Sequence, residues 1–307
     1  MIESAYSVKP HPLSIVIFSK DRAAQLDLCL KSIHKNFSNL SEHWNIYIIY
    51  TSSSKDFEDG YRQLIKEWYS KPNAIYFFPE NKYKGFKKTL EYCMRHWEEY
   101  VLFFTDDDIV YRSFQHEFSI LSDSFEKNEN LLCASLRLGT NTFVQDQYIN
   151  SMCLIPDEVI MSEQTIKTWD WKTQSMGENE TNFGYPFSLD GHMFKVKDAI
   201  WIIENTEYYN PNTLEAKAHR THVMDTEYAE NLSGQMCCFK NSYVINTPLN
   251  RVQETFTNSA GVFFKECQES LNEKFLKGGR LTLSGMDFST IIGVHQELKL
   301  CWDKKCY

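Results

Sequence analysis

The chain has 307 residues, 42% of them hydrophobic and 24% charged, with 41 acidic residues against 32 Lys and Arg and a net charge of -9. That is enough apolar material for a large core, and the acidic balance disfavours a non-specific nucleic-acid binder, which needs clustered Lys and Arg to hold phosphates. The start carries no basic stretch followed by an apolar run, and no uninterrupted apolar segment approaches membrane-spanning length, so a cytoplasmic protein is expected. Nine cysteines form an odd set spread through predicted helices and strands, which fits buried free thiols better than disulfides. Cys301 and Cys306 have a loose zinc-like spacing but no matching second pair.

In chain order, residues 14–18 (Ser-Ile-Val-Ile-Phe) predict a short buried strand, followed after Ser19-Lys20-Asp21 by a helix with Leu26, Cys29, Leu30, Ile33 and Phe37 on one face. A second strand is expected at 45–50, a helix at 57–68, a third strand at 74–78, and a helix carrying the stripe Phe86, Leu90, Cys93, Met94 and Trp97. The run Tyr100-Val101-Leu102-Phe103-Phe104 then gives a fourth strand that stops at Asp106-Asp107-Asp108. Strands alternating with helices predict an α/β fold with a mostly parallel sheet covered on both sides, and such sheets take ligands beyond the carboxyl ends of their strands. Those ends carry Ser19-Lys20-Asp21-Arg22, Thr51-Ser52-Ser53-Ser54, Pro79-Glu80-Asn81-Lys82 and the three aspartates.

Beyond Ser113 the alternation weakens. A helix at 114–126, a strand at 131–136, helices at 196–204 and 213–220, a strand at 236–245 and an amphipathic helix at 261–276 are expected. The aromatic, polar stretch 161–186 reads as a loop region over the active face. One domain over 1–307 is the simplest division, with residues from about 10 to 112 forming a sheet-based front half and those from about 113 to 307 an elaborated back half.

Three consecutive carboxylates at a core edge repel one another and ask for a hard cation or a polar ligand. The alternative is a helix cap or an acidic turn, and the position after four alternating strands favours the functional reading. The pattern resembles the GT-A fold glycosyltransferases, most closely the broad family-2 group of inverting sugar transferases. The likeness is strongest from the first strand with Asp21-Arg22 to Phe104-Thr105-Asp106-Asp107-Asp108, and continues more weakly through Phe187-Ser188-Leu189-Asp190-Gly191-His192.

That resemblance implies an Asp-x-Asp motif in which Asp106 and Asp108 hold Mn2+ or Mg2+ against the diphosphate of a nucleotide sugar. It also implies donor contacts from Phe18, Ser19, Arg22, Asp106 and Asp107, and from Gly85 and Lys88 at a helix start. Where many relatives have an acidic residue after the second strand, this chain has Thr51 and Ser52, which could hydrogen-bond a base or ribose or merely form a Ser-rich turn. Inverting transfer needs a carboxylate to take the acceptor's proton, and Asp190 before Gly191 is the candidate base; an Asp-Gly turn is the plain alternative. Glu215 is a reserve base, although a helix capping box explains it as well. His222, one helical turn from His219, could complete the metal site, with His192 a further option. Trp169 and Trp171 are expected to stack on acceptor sugars, while Phe187 is expected in the core.

The expected activity is metal-dependent transfer from a nucleotide sugar to a saccharide or lipid-linked saccharide in surface polysaccharide or glycan assembly, without nucleic acid and with at most peripheral membrane contact. A sugar nucleotidyltransferase or a non-catalytic carbohydrate-binding protein of the same fold are the alternatives. The first lacks its Gly-rich phosphate loop here, since Ser19-Lys20-Asp21-Arg22-Ala23-Ala24 has no glycine.

Overall fold

The computed structural model describes residues 13–37, 44–69, 74–146, 151–175, 181–224, 232–250 and 260–303. The first half runs β1 (Leu13–Lys20), α1 (Ala23–Asn36), β2 (Trp44–Thr51), α2 (Lys55–Trp68), β3 (Ile75–Pro79), α3 (Phe86–Met94) and β4 (Tyr100–Thr105). These match the expected elements to within a few residues at each end. There follow β5 (Asp108–Val110), α4 (Glu117–Lys127), β6 (Leu131–Ser135), β7 (Val144–Asp146), β8 (Ser151–Met152), α5 (Asp157–Met161), β9 (Ile166–Asp170) and α6 (Trp171–Ser175). The chain continues through β10 (His192–Lys195), α7 (Val196–Glu204), α8 (Pro211–His219), β11 (Gln235–Phe239), β12 (Val244–Asn246), α9 (Gln268–Leu276), β13 (Leu281–Thr282) and β14 (Cys301–Trp302).

Eight strands form one mixed sheet in the order β3-β2-β1-β4-β10-β6-β11-β9. The four strands β3, β2, β1 and β4 are parallel, as is β11 beside β6; β10 is antiparallel to β4 and β6, and β9 to β11. Strand alternation distributes side chains to two cores. Ile15, Ile17, Leu102 and Phe104 pack on the face covered by α1, whereas Val16, Phe18, Val101 and Phe103 pack with Leu90 of α3 and Ile202 of α7 on the other. Every one of these side chains is at most 3% exposed, and each contributes roughly 1.5–3 kcal/mol by leaving water.

The second half departs from the expectations in three places. The strand expected over 236–245 is two strands in different sheets: β11 stays in the main sheet, and β12 pairs antiparallel with β5, directly behind the aspartates. The polar turn Lys240-Asn241-Ser242 divides them, its Lys240 carbonyl taken by the Thr140 amide and its Ser242 amide by Asn141. The helix expected from 261 begins only at Gln268, because the amides of residues 262–264 are bound instead by the Glu297 carboxylate. The loop region expected over 161–186 contains β9, the edge strand of the sheet, whose register with β11 pairs Trp169 with Met236.

Candidate active site

The carboxyl ends of β1, β4 and β6 and the amino end of the antiparallel β10 meet at one rim, so four short segments converge there: 19–22, 105–108, 135–137 and 188–191. At the end of β1, Asp21 adopts φ 58, a left-handed conformation that costs a non-glycine residue about 1–2 kcal/mol. Its Oδ1 accepts the Ser53 amide at 2.6 Å and its own amide donates to the Thr51 carbonyl at 3.2 Å, which offsets the strain and ties the turn to the end of β2. The reversal sends Arg22, the residue before α1, back over the aspartates rather than out to solvent.

Arg22 is 9% exposed. Its Nη1 lies 3.0 Å from Asp106 Oδ1 and 2.8 Å from Asp107 Oδ2, so one guanidinium nitrogen bridges both carboxylates. Nε donates to Asn250 Oδ1 at 2.7 Å and Nη2 to the Asn250 carbonyl. Asp106 also accepts from Ser19 Oγ at 2.8 Å and from the Lys20 amide at 3.1 Å. Asp108, 1% exposed, accepts from the Thr105 amide at 2.8 Å and from Asn246 Nδ2 at 3.1 Å.

Asp190 stands across the rim. Its Oδ2 is 3.3 Å from Arg137 Nη1, and its Oδ1 is 3.0 Å from Thr105 Oγ1. The same threonine hydroxyl lies 2.8 Å from Asp107 Oδ1. Its single proton serves one of those carboxylates at a time, so the other approach is repulsive unless a proton or a cation is supplied. Gly191 makes the turn into β10 with φ 69, and a Cβ there would sit 3.3 Å from the side chain of Val244.

A directional hydrogen-bond chain joins the two carboxylate groups. Asn246 Nδ2 donates to Asp107 Oδ1 at 2.9 Å and to Asp108, which leaves its Oδ1 to accept from His295 Nδ1 at 3.2 Å. His295 Nε2 then faces Arg137 Nη1 at 3.5 Å, the nitrogen that reaches Asp190. The segment bearing His295 is held against β12 by the Asn246 amide on the Val294 carbonyl and the Gln296 amide on the Asn246 carbonyl.

The electrostatics follow from burial and from charge count. Among the described residues, Asp106, Asp107, Asp108, Asp190 and Glu215 face Arg22 and Arg137, five carboxyl groups against two guanidiniums. Burial pushes Asp106 up to about 6, with Arg22 pulling back and Asp107 adding to the rise. Burial, then the charges of Asp190 and Asp107, hold Asp108 well above the ordinary carboxylate range. Glu215 is pushed up to about 7 by burial and by Asp190, with Arg137 opposing. Arg22 is raised in turn: the two aspartates outweigh the burial that would lower it.

The remaining sequence-predicted residues fall in different places. Glu215 is not a capping residue. Asn210 caps α8, reciprocally with Thr213, while Glu215 accepts from Ser188 Oγ at 3.2 Å and the Leu189 amide at 3.3 Å, immediately before Asp190. Thr51 and Ser52 lie at the rim beside Asp21. Phe18 is not placed for donor contact; its ring packs against Phe86 and Phe103 in the core. Gly85, φ 108, opens α3, and Lys88 is a solvent-facing residue whose Nζ pairs with Glu91 at 2.7 Å.

His222 is 1% exposed, with Nε2 3.0 Å from Thr206 Oγ1 and its ring against Trp201, so it joins the packing of α7 rather than the aspartates. His219 stacks on Tyr185, and His192 Nδ1 meets the Pro186 carbonyl at 3.1 Å. Trp169 and Trp171, 1% and 0% exposed, are core residues whose indole N–H groups donate to the Phe183 and Ser233 carbonyls; their faces are closed to an acceptor sugar. Arg137, Asn246, Asn250 and His295 were not anticipated. Arg137 had a signal, since it stands just beyond the carboxyl end of β6, where ligands are expected.

The carboxylates are all hard oxygen donors, and their uncompensated charge fits Mg2+ or Mn2+ better than a softer metal. Among the described residues no three acidic, histidine or cysteine side chains converge as a ready coordination shell. Arg22 takes the position between Asp106 and Asp107 instead.

No family model matches the chain. Among curated proteins it is similar to the bifunctional glycosyltransferase pgtA of Dictyostelium discoideum, 24% identical over 271 residues, which cover 81% of this chain and 33% of that protein. Among solved structures it is similar to GalNAc-T7 with UDP, GalNAc and Mn2+, at a TM-score of 0.48 and 10% identity over 78% of this chain and 44% of the other. It is also similar to S. aureus TarS 1-349 in complex with UDP-GlcNAc, at 0.45 and 13% over 79% and 60% respectively. The chain thus spans about a third of the length of the curated relative and less than two thirds of these solved chains. The curated relative is a glycosyltransferase, the class that the aspartate triplet and the elements before it resemble.

Proposed function

We propose that the protein is a metal-dependent glycosyltransferase that moves a sugar from a nucleotide sugar to a saccharide or lipid-linked saccharide acceptor, with inversion at the anomeric carbon, in surface polysaccharide or glycan assembly. The observation that carries this reading is the crowding of carboxyl groups at the sheet's carboxyl rim, where among the described residues the buried Asp106, Asp107, Asp108 and Asp190 meet two guanidiniums, Arg22 and Arg137. Asp106 and Asp108 would hold the divalent ion, which when bound supplies Lewis-acid neutralisation of a departing diphosphate.

The chain's own residues have separate tasks in this scheme. Arg22, held at the rim by Asp106 and Asp107, would offer its guanidinium to phosphate oxygens of the donor. Asp190 takes the proton from the acceptor hydroxyl as that oxygen attacks the sugar from the face opposite the leaving group. Arg137, fixed by His295, holds Asp190 by one oxygen and leaves the other toward Thr105. Glu215 accepts from Ser188 Oγ and the Leu189 amide and so positions the segment immediately before Asp190.

The test uses purified protein with Mn2+ and a panel of UDP-, GDP-, CMP- and dTDP-sugars, read by thermal midpoint and slow donor hydrolysis. One donor class is expected to raise the midpoint only when Mn2+ is present and to be hydrolysed. No response to any donor overturns the reading.

A further inference from the structure

The turn at 261–265 has a construction that the transfer chemistry does not use. Val262, Phe263 and Phe264 are 60%, 59% and 38% exposed, three consecutive large apolar side chains at the surface, followed by the exposed Lys265. Beneath them the carboxylate of Glu297, itself only 4% exposed, accepts all three backbone amides: Val262 at 2.7 Å on Oε1, Phe263 at 2.7 Å and Phe264 at 2.8 Å on Oε2. The turn is over-determined. Gly261 has φ 71, donates to the Pro248 carbonyl at 3.1 Å, and has no room for a Cβ, which would meet the Leu249 carbonyl oxygen at 2.5 Å. Two residues after Phe264, the Glu266 carbonyl accepts from Asn250, the residue that also binds Arg22. The tip is therefore fastened to the candidate active site.

We infer that residues 262–264 form a lipid-docking tip, which seats the rim of the sheet on a membrane surface by inserting Val262, Phe263 and Phe264 among acyl chains. Two features point to lipid. In water, solvent satisfies backbone amides without help, whereas an apolar medium leaves them unpaired at a cost of several kcal/mol each; here all three donors are already bound before the tip leaves water. The exposed fractions of the three side chains amount to apolar surface on the order of 300 Å2. That is well short of the roughly 800 Å2 per partner that a stable protein–protein interface buries, and enough for interfacial anchoring in concert with a neighbouring Lys. The net charge of -9 disfavours attraction to anionic headgroups, so binding is expected to rest on insertion and to survive salt. Among the described residues no helix is long and apolar enough to cross a membrane.

The experiment is co-sedimentation of the whole chain with phosphatidylcholine vesicles, with and without 20% phosphatidylglycerol, at about 0.05 and 0.5 M salt. The wild type is expected to bind both compositions with little salt dependence. The double variant Phe263→Ser/Phe264→Ser should bind at least tenfold less while keeping its thermal midpoint, and Phe263→Trp should gain emission that brominated lipid quenches. Leu154→Ser, at an exposed apolar residue outside the tip, serves as the control and should bind like the wild type. The proposal is overturned if the wild type stays in the supernatant, if Leu154→Ser rather than the double variant loses binding, or if the double variant changes only the concentration-dependent self-association seen by sedimentation velocity. These readouts need no turnover, so they stand or fall separately from the transferase reading.

Discussion

Replacing Arg22 by Met probes the charge arrangement directly. In the folded protein Arg22 makes two ion pairs, 3.0 Å to Asp106 and 2.8 Å to Asp107, with little solvent around any of the three groups. At an effective dielectric of about 20 each contact is worth roughly 5–6 kcal/mol before desolvation. Removing one partner of such a buried set typically costs about 3–5 kcal/mol, because the stranded carboxylates remain. With unfolding entropy near 2.1 cal/mol/K per residue over 307 residues, the thermal midpoint should fall by about 5–8 °C at pH 7.5. The pH dependence has a fixed sign. Asp106 is raised to about 6, so it is ionised above that pH and neutral below it, and the attraction that Arg22 supplies is present at pH 7.5 and fades toward pH 5. The gap between wild type and Arg22→Met, measured by scanning fluorimetry, should therefore shrink at pH 5, and added Mn2+ should narrow it at pH 7.5 by supplying the missing positive charge. A variant as stable as the wild type at both pH values would refute the picture of an under-compensated cluster.

Further outcomes follow from the same geometry. Asp190→Asn should lower turnover by about 10²–10⁴-fold while donor-dependent thermal stabilisation persists; equal loss of both would remove Asp190 from the role of base. Glu215, raised to about 7 from an ordinary value of 4.5, holds its proton more tightly folded than unfolded, so its contribution to stability is complete below pH 4.5 and is lost as the pH rises through 7. Glu215→Gln should accordingly gain on the wild type between pH 5 and pH 8, by up to about 3 kcal/mol if the full shift is realised, and a constant difference across that range would contradict the assignment. Trp169→Ala should cost about 3–5 kcal/mol in denaturant unfolding through the cavity it leaves; a variant that keeps full stability but changes acceptor preference would restore its expected sugar-stacking role.

The parallel half of the sheet was legible because each strand is a short apolar run bounded by polar residues, and each helix carries one apolar stripe that the sheet buries. The aspartate triplet was legible for the same reason, as charge placed where a buried strand stops. The second half resisted reading because its pairings are long-range. Nothing local in the 236–245 run says that its second part crosses to β5, and β10 owes its place to Gly191 and to neighbours far away in the sequence. Trp169 and Trp171 stood in a polar context, but strand alternation in β9 and the turn after it send both rings inward. Glu215 illustrates a local rule losing to a tertiary contact: the spacing suited a capping box, yet Asn210 and Thr213 fill that motif and free Glu215 to brace the segment before Asp190. Asn246 and His295 carry no signal by themselves, since each joins the site through β12 and the strand-like contact beside it.

The most direct measurement is calorimetric titration of Mn2+ together with a nucleoside diphosphate into the wild type and into Asp106→Asn, at pH 5.5 and pH 7.5. Because the carboxylates at this rim hold protons that a cation must displace, binding to the wild type should release protons and tighten as the pH rises, and Asp106→Asn should lose most of the heat. Mn2+ affinity that is the same in both proteins and indifferent to pH would show that the aspartates behind β4 do not hold the ion.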